Sequence, residues 1–258
     1  MRENPVKRQL AAGRRLVGTM VFEFVTPGIG RIAEAAGAEF VLFDQEHTPW
    51  ELETLARAMA VMRFTRPVPL VRVPTLQPHL ISRLLDVGAL GIMVPLVETP
   101  EQARRIVEAA KYPPDGRRGV SGGLAHDDYR GEDVAGAMRQ ANAETMLIAQ
   151  IETAQGVERC REIAAVEGID VLWMGQMDLS TSLGVPGQYA HPTYLKALRT
   201  IVQAADAAGK SAGFLTFSHD EGLALAEMGF RCIAYRSDVG LYRDALARGI
   251  AGLRIVEI

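Results

Sequence analysis

Cysteine is scarce in this chain: there are two, Cys160 in a helical stretch and Cys232 in an apolar run. Neither has metal-ligand spacing, which excludes a thiolate metal site and a disulfide framework and predicts buried thiols of a reducing compartment. Long apolar runs are absent too. No stretch approaches the roughly 20 apolar residues of a membrane span. Residues 1–15 are basic, but the apolar core of a signal peptide is missing before Gly18, so the expected location is cytoplasmic. There is no excess of positive charge: the formal net charge is −3, which gives no electrostatic footprint for nucleic acid or an anionic membrane. Lysine is the scarcest cation, with four in 258 residues.

What is present is a repeated local pattern. A helical segment ends at glycine, and two or three residues later a short apolar run begins and finishes in polar residues. It occurs around Gly37, Gly88, Gly168, Gly209 and Gly229. Glycine suits the position just past a helix end because it takes the left-handed conformation without penalty. Short apolar runs alternating with helices signal parallel strands covered on both faces. The runs are 16–24, 40–44, 68–73, 91–96, 146–151, 170–175, 212–216 and 231–235. Eight such units, with no linker between halves, predict a single (β/α)₈ TIM barrel spanning 1–258, in which the chemistry lies at the carboxyl ends of the strands.

The polar residues at those ends are therefore the candidates. The fifth strand ends Gln150-Ile151-Glu152, with Ile148, Gln150 and Glu152 on one face. A carboxylate there is either a metal ligand or a cap for the next helix. The sixth runs into Gly175-Gln176-Met177-Asp178, placing a second carboxylate at the neighbouring strand end. Two carboxylates with water and substrate oxygens suit octahedral Mg²⁺ or Mn²⁺. The second ends Asp44-Gln45-Glu46-His47, a candidate acid/base cluster or, equally, a hydrogen-bonded turn. The third puts Arg72 at an apolar strand end, where it stabilises an oxyanion or pairs with Asp44 or Glu152. No lysine is placed for Schiff-base chemistry at that end: Lys7 is in the tail, Lys111 at a helix end, Lys196 within a helix and Lys210 just before the seventh strand. Carbonyl activation would have to come from a metal.

Two features read less sharply. Gly28-Ile29-Gly30 imitates a dinucleotide fingerprint, but the interval to Asp44 is short and the eightfold pattern is not a Rossmann half. Between the fourth and fifth strands lies an outsized segment, 99–145, carrying Arg117, Arg118, His126, Asp127 and Asp128. A connection that long is usually functional or flexible; a solvated loop is the expectation for its acidic and imidazole groups.

Taken together, Asp44-Gln45-Glu46-His47, Val71-Arg72-Val73-Pro74, Leu84-Leu85-Asp86-Val87-Gly88-Ala89, Gln150-Ile151-Glu152, the 175–184 stretch with Asp178, Ser180, Ser182 and Gly184, and Ala212-Gly213-Phe214-Leu215 resemble the HpcH/HpaI family of metal-dependent class II pyruvate aldolases across nearly the whole chain. The resemblance implies that Glu152 and Asp178 bind a divalent metal, Mg²⁺ or Mn²⁺ with Co²⁺ or Zn²⁺ as further candidates. It implies that Arg72 contacts the pyruvate oxygen and that His47 and Asp44 form an acid/base dyad. Gln150 and Leu215 then lie against the substrate, and Asp86 reaches a site across a subunit interface. It also implies a homohexamer, a trimer of dimers exchanging a C-terminal helix at about 241–248. Three departures bear on the substrate: Gln176 stands where the family usually has proline, Arg236 where small residues usually follow the eighth strand, and the 121–129 segment differs from that of the better-known aldolases.

The reaction so implied is reversible retro-aldol cleavage of a 4-hydroxy-2-oxo acid to pyruvate and an aldehyde. The alternatives are decarboxylation of a 2-oxo diacid, cleavage of a CoA ester as in the citrate-lyase-like branch, and non-catalytic binding of oxo acids. Retention of Asp44, His47, Glu152 and Asp178 together argues against the last.

Overall fold

The computed structural model describes residues 2–131 and 133–254. Its strands are β1 (Leu16–Val21), β2 (Phe40–Asp44), β3 (Val68–Arg72), β4 (Gly91–Val94), β5 (Met146–Ile151), β6 (Val171–Met174), β7 (Ser211–Thr216) and β8 (Cys232–Ser237). Each pairs in parallel with the next, and β8 pairs with β1, closing the barrel. α1 (Pro5–Ala11) precedes β1. Between the strands run α2 (Ile29–Ala35), α3 (Leu52–Met62), α4 (Pro78–Asp86), α5 (Pro100–Ala110), α6 (Val134–Glu144), the pair α7 (Ala154–Glu158) and α8 (Cys160–Ala164), α9 (Gln176–Ser182), α10 (Pro192–Ala207) and α11 (His219–Met228). α12 (Asp238–Arg254) closes the order.

The strands alternate between two apolar clusters, as a period of two demands. Val41, Phe43, Val71, Ile92, Leu147, Ala149 and Leu172 face outward into the helices. Phe40, Leu42, Val68, Leu70, Met146, Ile148, Val171 and Trp173 fill the lumen, and Val6 and Leu10 of α1 join them from the amino end. Two glycines make room for the largest of these: a Cβ on Gly18 would overlap the Phe40 ring, and one on Gly213 the Trp173 ring. Continuing the lumen positions toward the carboxyl ends reaches Asp44 after Leu42, Arg72 after Leu70, and Gln150 and Glu152 after Ile148. The packing alternation that builds the core thus also aims the candidate site residues into the mouth of the barrel.

Two parts depart from expectation. The segment after α5 is largely exposed, but part of it folds down onto the barrel. Its short 3₁₀ turn, Ala125–Asp127, buries His126 and Asp127 beside Gly88, Ala89 and Leu90, which precede β4, so these groups sit at the amino end; Asp128 is exposed. The C-terminal helix is longer than expected and departs from the barrel. Of its residues only Asp238 is buried, while Leu241, Tyr242, Leu246, Ile250 and Leu253 are exposed. It leaves an apolar slot of ≈500 Å³ lined by Val17, Val21, Ile29, Ile32, Tyr235 and Leu241. Both cysteines are free and buried, and burial pushes both thiols up. Among the described residues no helix is long and apolar enough to cross a membrane.

Candidate active site

Asp44 is fully buried and organises the end of β2. Its carboxylate accepts the Arg72 Nε–H at 2.5 Å, and it accepts the backbone N–H groups of His47 at 2.9 Å and Glu46 at 3.3 Å; its carbonyl accepts the Thr48 hydroxyl at 2.6 Å. The hydrogen-bonded turn is therefore real, and the expected side-chain dyad takes another form. Asp44 meets the His47 backbone, not its imidazole. The ring is exposed, and its nearest carboxylate is Glu46, with Nε2 to Oε2 at 3.8 Å. The reason is local: Pro49 stops the strand, the chain curls over Asp44, and its carboxylate satisfies the turn amides that have left the sheet.

Arg72 leaves little of its guanidinium exposed. Nε pairs with Asp44, and Nη1 lies 3.0 Å from Glu46 Oε2. Glu46, named in the sequence only within the 44–47 cluster, thus lies between Arg72 and His47. Burial pushes its carboxyl above the usual range, with Arg72 and His47 pulling it back down and Asp44 and Asp178 pushing it further up. The signal available was its spacing of two from Asp44; its two partners appear only once the turn has folded.

Glu152 is almost wholly buried. Leu96 donates its backbone N–H to Oε1 at 2.7 Å, and the Gln150 side-chain amide donates to Oε2. Leu96 is in the left-handed region, φ 53°, at the end of β4, a strained conformation for leucine. Gly175 packs so closely that a Cβ would overlap Glu152 Oε2 and Gln150 Nε2. Burial pushes the Glu152 carboxyl up to about 7, and Glu46 and Asp178 reinforce the shift against the two hydrogen bonds. Asp178, in the first turn of α9, is exposed. Among the described residues neither Glu152 nor Asp178 has an ion-pair partner, and no group of three or more His, Cys, Asp or Glu gathers to hold a metal. Two unneutralised carboxylates facing one mouth fit a hard divalent cation completed by oxygens from water and substrate. The Gln150 side-chain oxygen Oε1 is buried and unpartnered beside them. Leu215 is half-buried at the end of β7 and packs on the lumen cluster.

Asp86 is not part of this constellation within one chain. It ends α4 at the amino end of the barrel and pairs with Arg118 at 2.5 Å; Arg118 stacks over Tyr112 at 4.5 Å. Arg236, at the end of β8, is paired with Asp244 of α12 and is left-handed, φ 55°. The lysines agree with expectation. Lys7 and Lys111 donate to the Thr145 carbonyl before β5, Lys210 donates to the Val166 carbonyl, and Lys196 lies in α10.

This chain matches the family model described as HpcH/HpaI aldolase/citrate lyase over residues 23–245. It is 38% identical over 254 residues to a hydroxypyruvate/pyruvate aldolase of Delftia acidovorans, covering 98% of this chain and 94% of the relative. It is 35% identical over 242 residues to a 5-keto-4-deoxy-D-glucarate aldolase of Shigella boydii, covering 94% and 93%. The crystal structure of an HpcH/HpaI aldolase from Desulfitobacterium hafniense superposes with a TM-score of 0.93 at 33% identity, covering 98% of this chain and 97% of that one. With the match extending over nearly the full length in sequence and in fold, the chain belongs to the HpcH/HpaI aldolase/citrate lyase family.

Proposed function

We propose that this protein is a divalent-metal-dependent carbon–carbon lyase that cleaves a 4-hydroxy-2-oxo acid reversibly to pyruvate and an aldehyde. The observation that carries the reading is the pair Glu152 and Asp178: carboxylates without a cationic partner, at the carboxyl end of a barrel that offers no lysine there. Their relatives named as pyruvate and keto-sugar-acid aldolases support the substrate class. A divalent ion held by Glu152 and Asp178, Mg²⁺ or Mn²⁺ on the oxygen donor set, would supply Lewis-acid polarisation of the 2-oxo acid.

The chain's own residues do the rest. His47, exposed on the β2 turn and flanked by Glu46, takes the proton from the C4 hydroxyl. The C3–C4 bond breaks, C4 departs as the aldehyde carbonyl, and the electron pair stays on the pyruvyl fragment as an enolate. Arg72 balances the negative charge on the enolate oxygen. Asp44 holds Arg72 and the turn in place, and the unpartnered Gln150 side-chain oxygen Oε1 and Leu215 orient the substrate. Protonation at C3 releases pyruvate.

The exposed apolar face of α12 and the slot beside it support exchange of that helix with a second copy, in an assembly that lets Asp86 serve a neighbour's site. The barrel would act as one unit in the cytoplasm. The test is pyruvate release from a panel of 4-hydroxy-2-oxo acids with and without EDTA. Release that EDTA abolishes and Mg²⁺ or Mn²⁺ restores is expected. Release indifferent to EDTA, or none from any substrate, would overturn the proposal.

A further inference from the structure

β6 ends at Met174, whose partner on β7 is Phe214. At Gly175 the chain turns into α9, so the backbone can no longer supply a donor for the next carbonyl of β7, that of Leu215. The structure fills the gap with a side chain: Gln176 Nε2 donates to the Leu215 carbonyl at 2.7 Å, and Gln176 is itself buried. One amide thus continues the β6–β7 ladder for a further rung after the strand has stopped.

The position of that rung gives it a second consequence. Gln176 is the first residue of α9, one residue after Gly175, which packs on Glu152 and Gln150, and two before Asp178. The turn bearing Asp178 is therefore fixed on one side by the close approach of Gly175 to Glu152 and on the other by the Gln176 bond to β7. Asp178 itself is exposed and has no ion pair among the described residues to hold it. Its place relative to Glu152 depends on the turn.

We infer that Gln176 is a positioning residue that sets the separation of the Glu152 and Asp178 carboxylates by tying the first turn of α9 to Leu215 of β7, and so tunes the site's affinity for a divalent cation. The inference rests on the metal reading above. Groups that act behind metal ligands typically change affinity by about 10-fold or more when lost. Gln176→Met keeps the length and apolar bulk and removes the donor; Gln176→Glu keeps the shape and sets a carboxylate oxygen against the Leu215 carbonyl.

The test is titration of the purified full chain with Mn²⁺, followed by the loss of the free-ion paramagnetic resonance signal, together with melting of the metal-free protein. Both variants should bind Mn²⁺ about 10-fold more weakly than wild type, whether or not losing the donor to the buried Leu215 carbonyl lowers the metal-free melting temperature. Should Gln176→Met fail to fold, Gln176→Glu carries the same comparison. Lowered melting temperatures with wild-type Mn²⁺ affinity would make the bond merely structural and overturn the inference alone. Glu152→Gln, titrated in parallel, should abolish binding. If wild type takes up no Mn²⁺, or Glu152→Gln binds like wild type, the metal reading falls and this inference falls with it.

Discussion

At the amino end of the barrel, buried charge is spent on the fold. Lys111 donates to the carbonyls of Asn142 and Thr145, Lys7 to Thr145 and to Asp170 at 3.3 Å, and Arg118 to Asp86. At the carboxyl end, Arg72 is shared between Asp44 and Glu46, but Glu152 and Asp178 have only neutral donors or none. A buried carboxylate without a counter-charge costs stability. Residues of the same kinds therefore differ by end: Lys7, Lys111 and Arg118 find carbonyl or carboxylate partners within the chain, whereas Glu152 and Asp178 have no cationic partner among the described residues.

The largest expected effect breaks the carboxyl end. Glu152→Gln should lower pyruvate release by about 10²–10³-fold while raising the melting temperature of the metal-free protein at neutral pH. The sign follows from the raised carboxyl. Between its ordinary value and about 7 the folded state holds a proton that the unfolded state has lost. Glu152 therefore withdraws stability as pH rises through that window. Wild type without metal should lose melting temperature from pH 5 to 7, Glu152→Gln should lose less, and added Mn²⁺ should stabilise wild type more at pH 7 than at pH 5.

Arg72→Ala should also cut turnover by about 10²-fold or more, but with the opposite effect on stability. It leaves Asp44 and Glu46 unpaired, and breaking a buried pair costs about 3–5 kcal/mol, which denaturant unfolding would measure. A smaller effect would join the two ends. If Asp86 serves a neighbouring subunit, Asp86→Ala is impaired alone, and co-refolding it with Glu152→Gln should recover part of the activity, because mixed assemblies contain some sites with both groups. No recovery would keep Asp86 within the fold of its own chain.

Lys111→Met should do least, leaving kcat unchanged. Burial, with Lys7 nearby, pulls the Lys111 ammonium down to about 7. Between that value and its ordinary one the unfolded state binds the extra proton, so wild-type stability gains from Lys111 as pH rises from about 7 to 10. The variant should lose that gain, as melting at the two pH values would show.

Much of this arrangement was legible in the sequence because burial imposes a period of two on a strand. Leu70 and Arg72, and Ile148, Gln150 and Glu152, had to share faces, so the polar ends of those strands could be named as candidates before the barrel was seen. The same logic stops where the strand stops. Nothing in the sequence fixes whether Asp44 meets the ring or the backbone of His47, and that depends on how the turn curls. Glu46 gains its role from the same curl. His126 and Asp127 look hydrophilic in a long connection, yet tertiary packing against α4 and the residues before β4 buries them at the far end. The reach of α12 to Arg254 was underestimated because an apolar stripe with no cover inside its own chain carries no local stop signal.

Leu96 joins the two themes. Its backbone amide holds Glu152, while its side chain is half exposed at the rim of the site. The grip on the acid belongs to a group that every residue except proline possesses. Substitution by a residue that tolerates the left-handed backbone can therefore reshape the rim of the site without touching the anchor beneath it. Residue 96 is thus a place where the rim of the barrel mouth can change while the Glu152 carboxylate stays held.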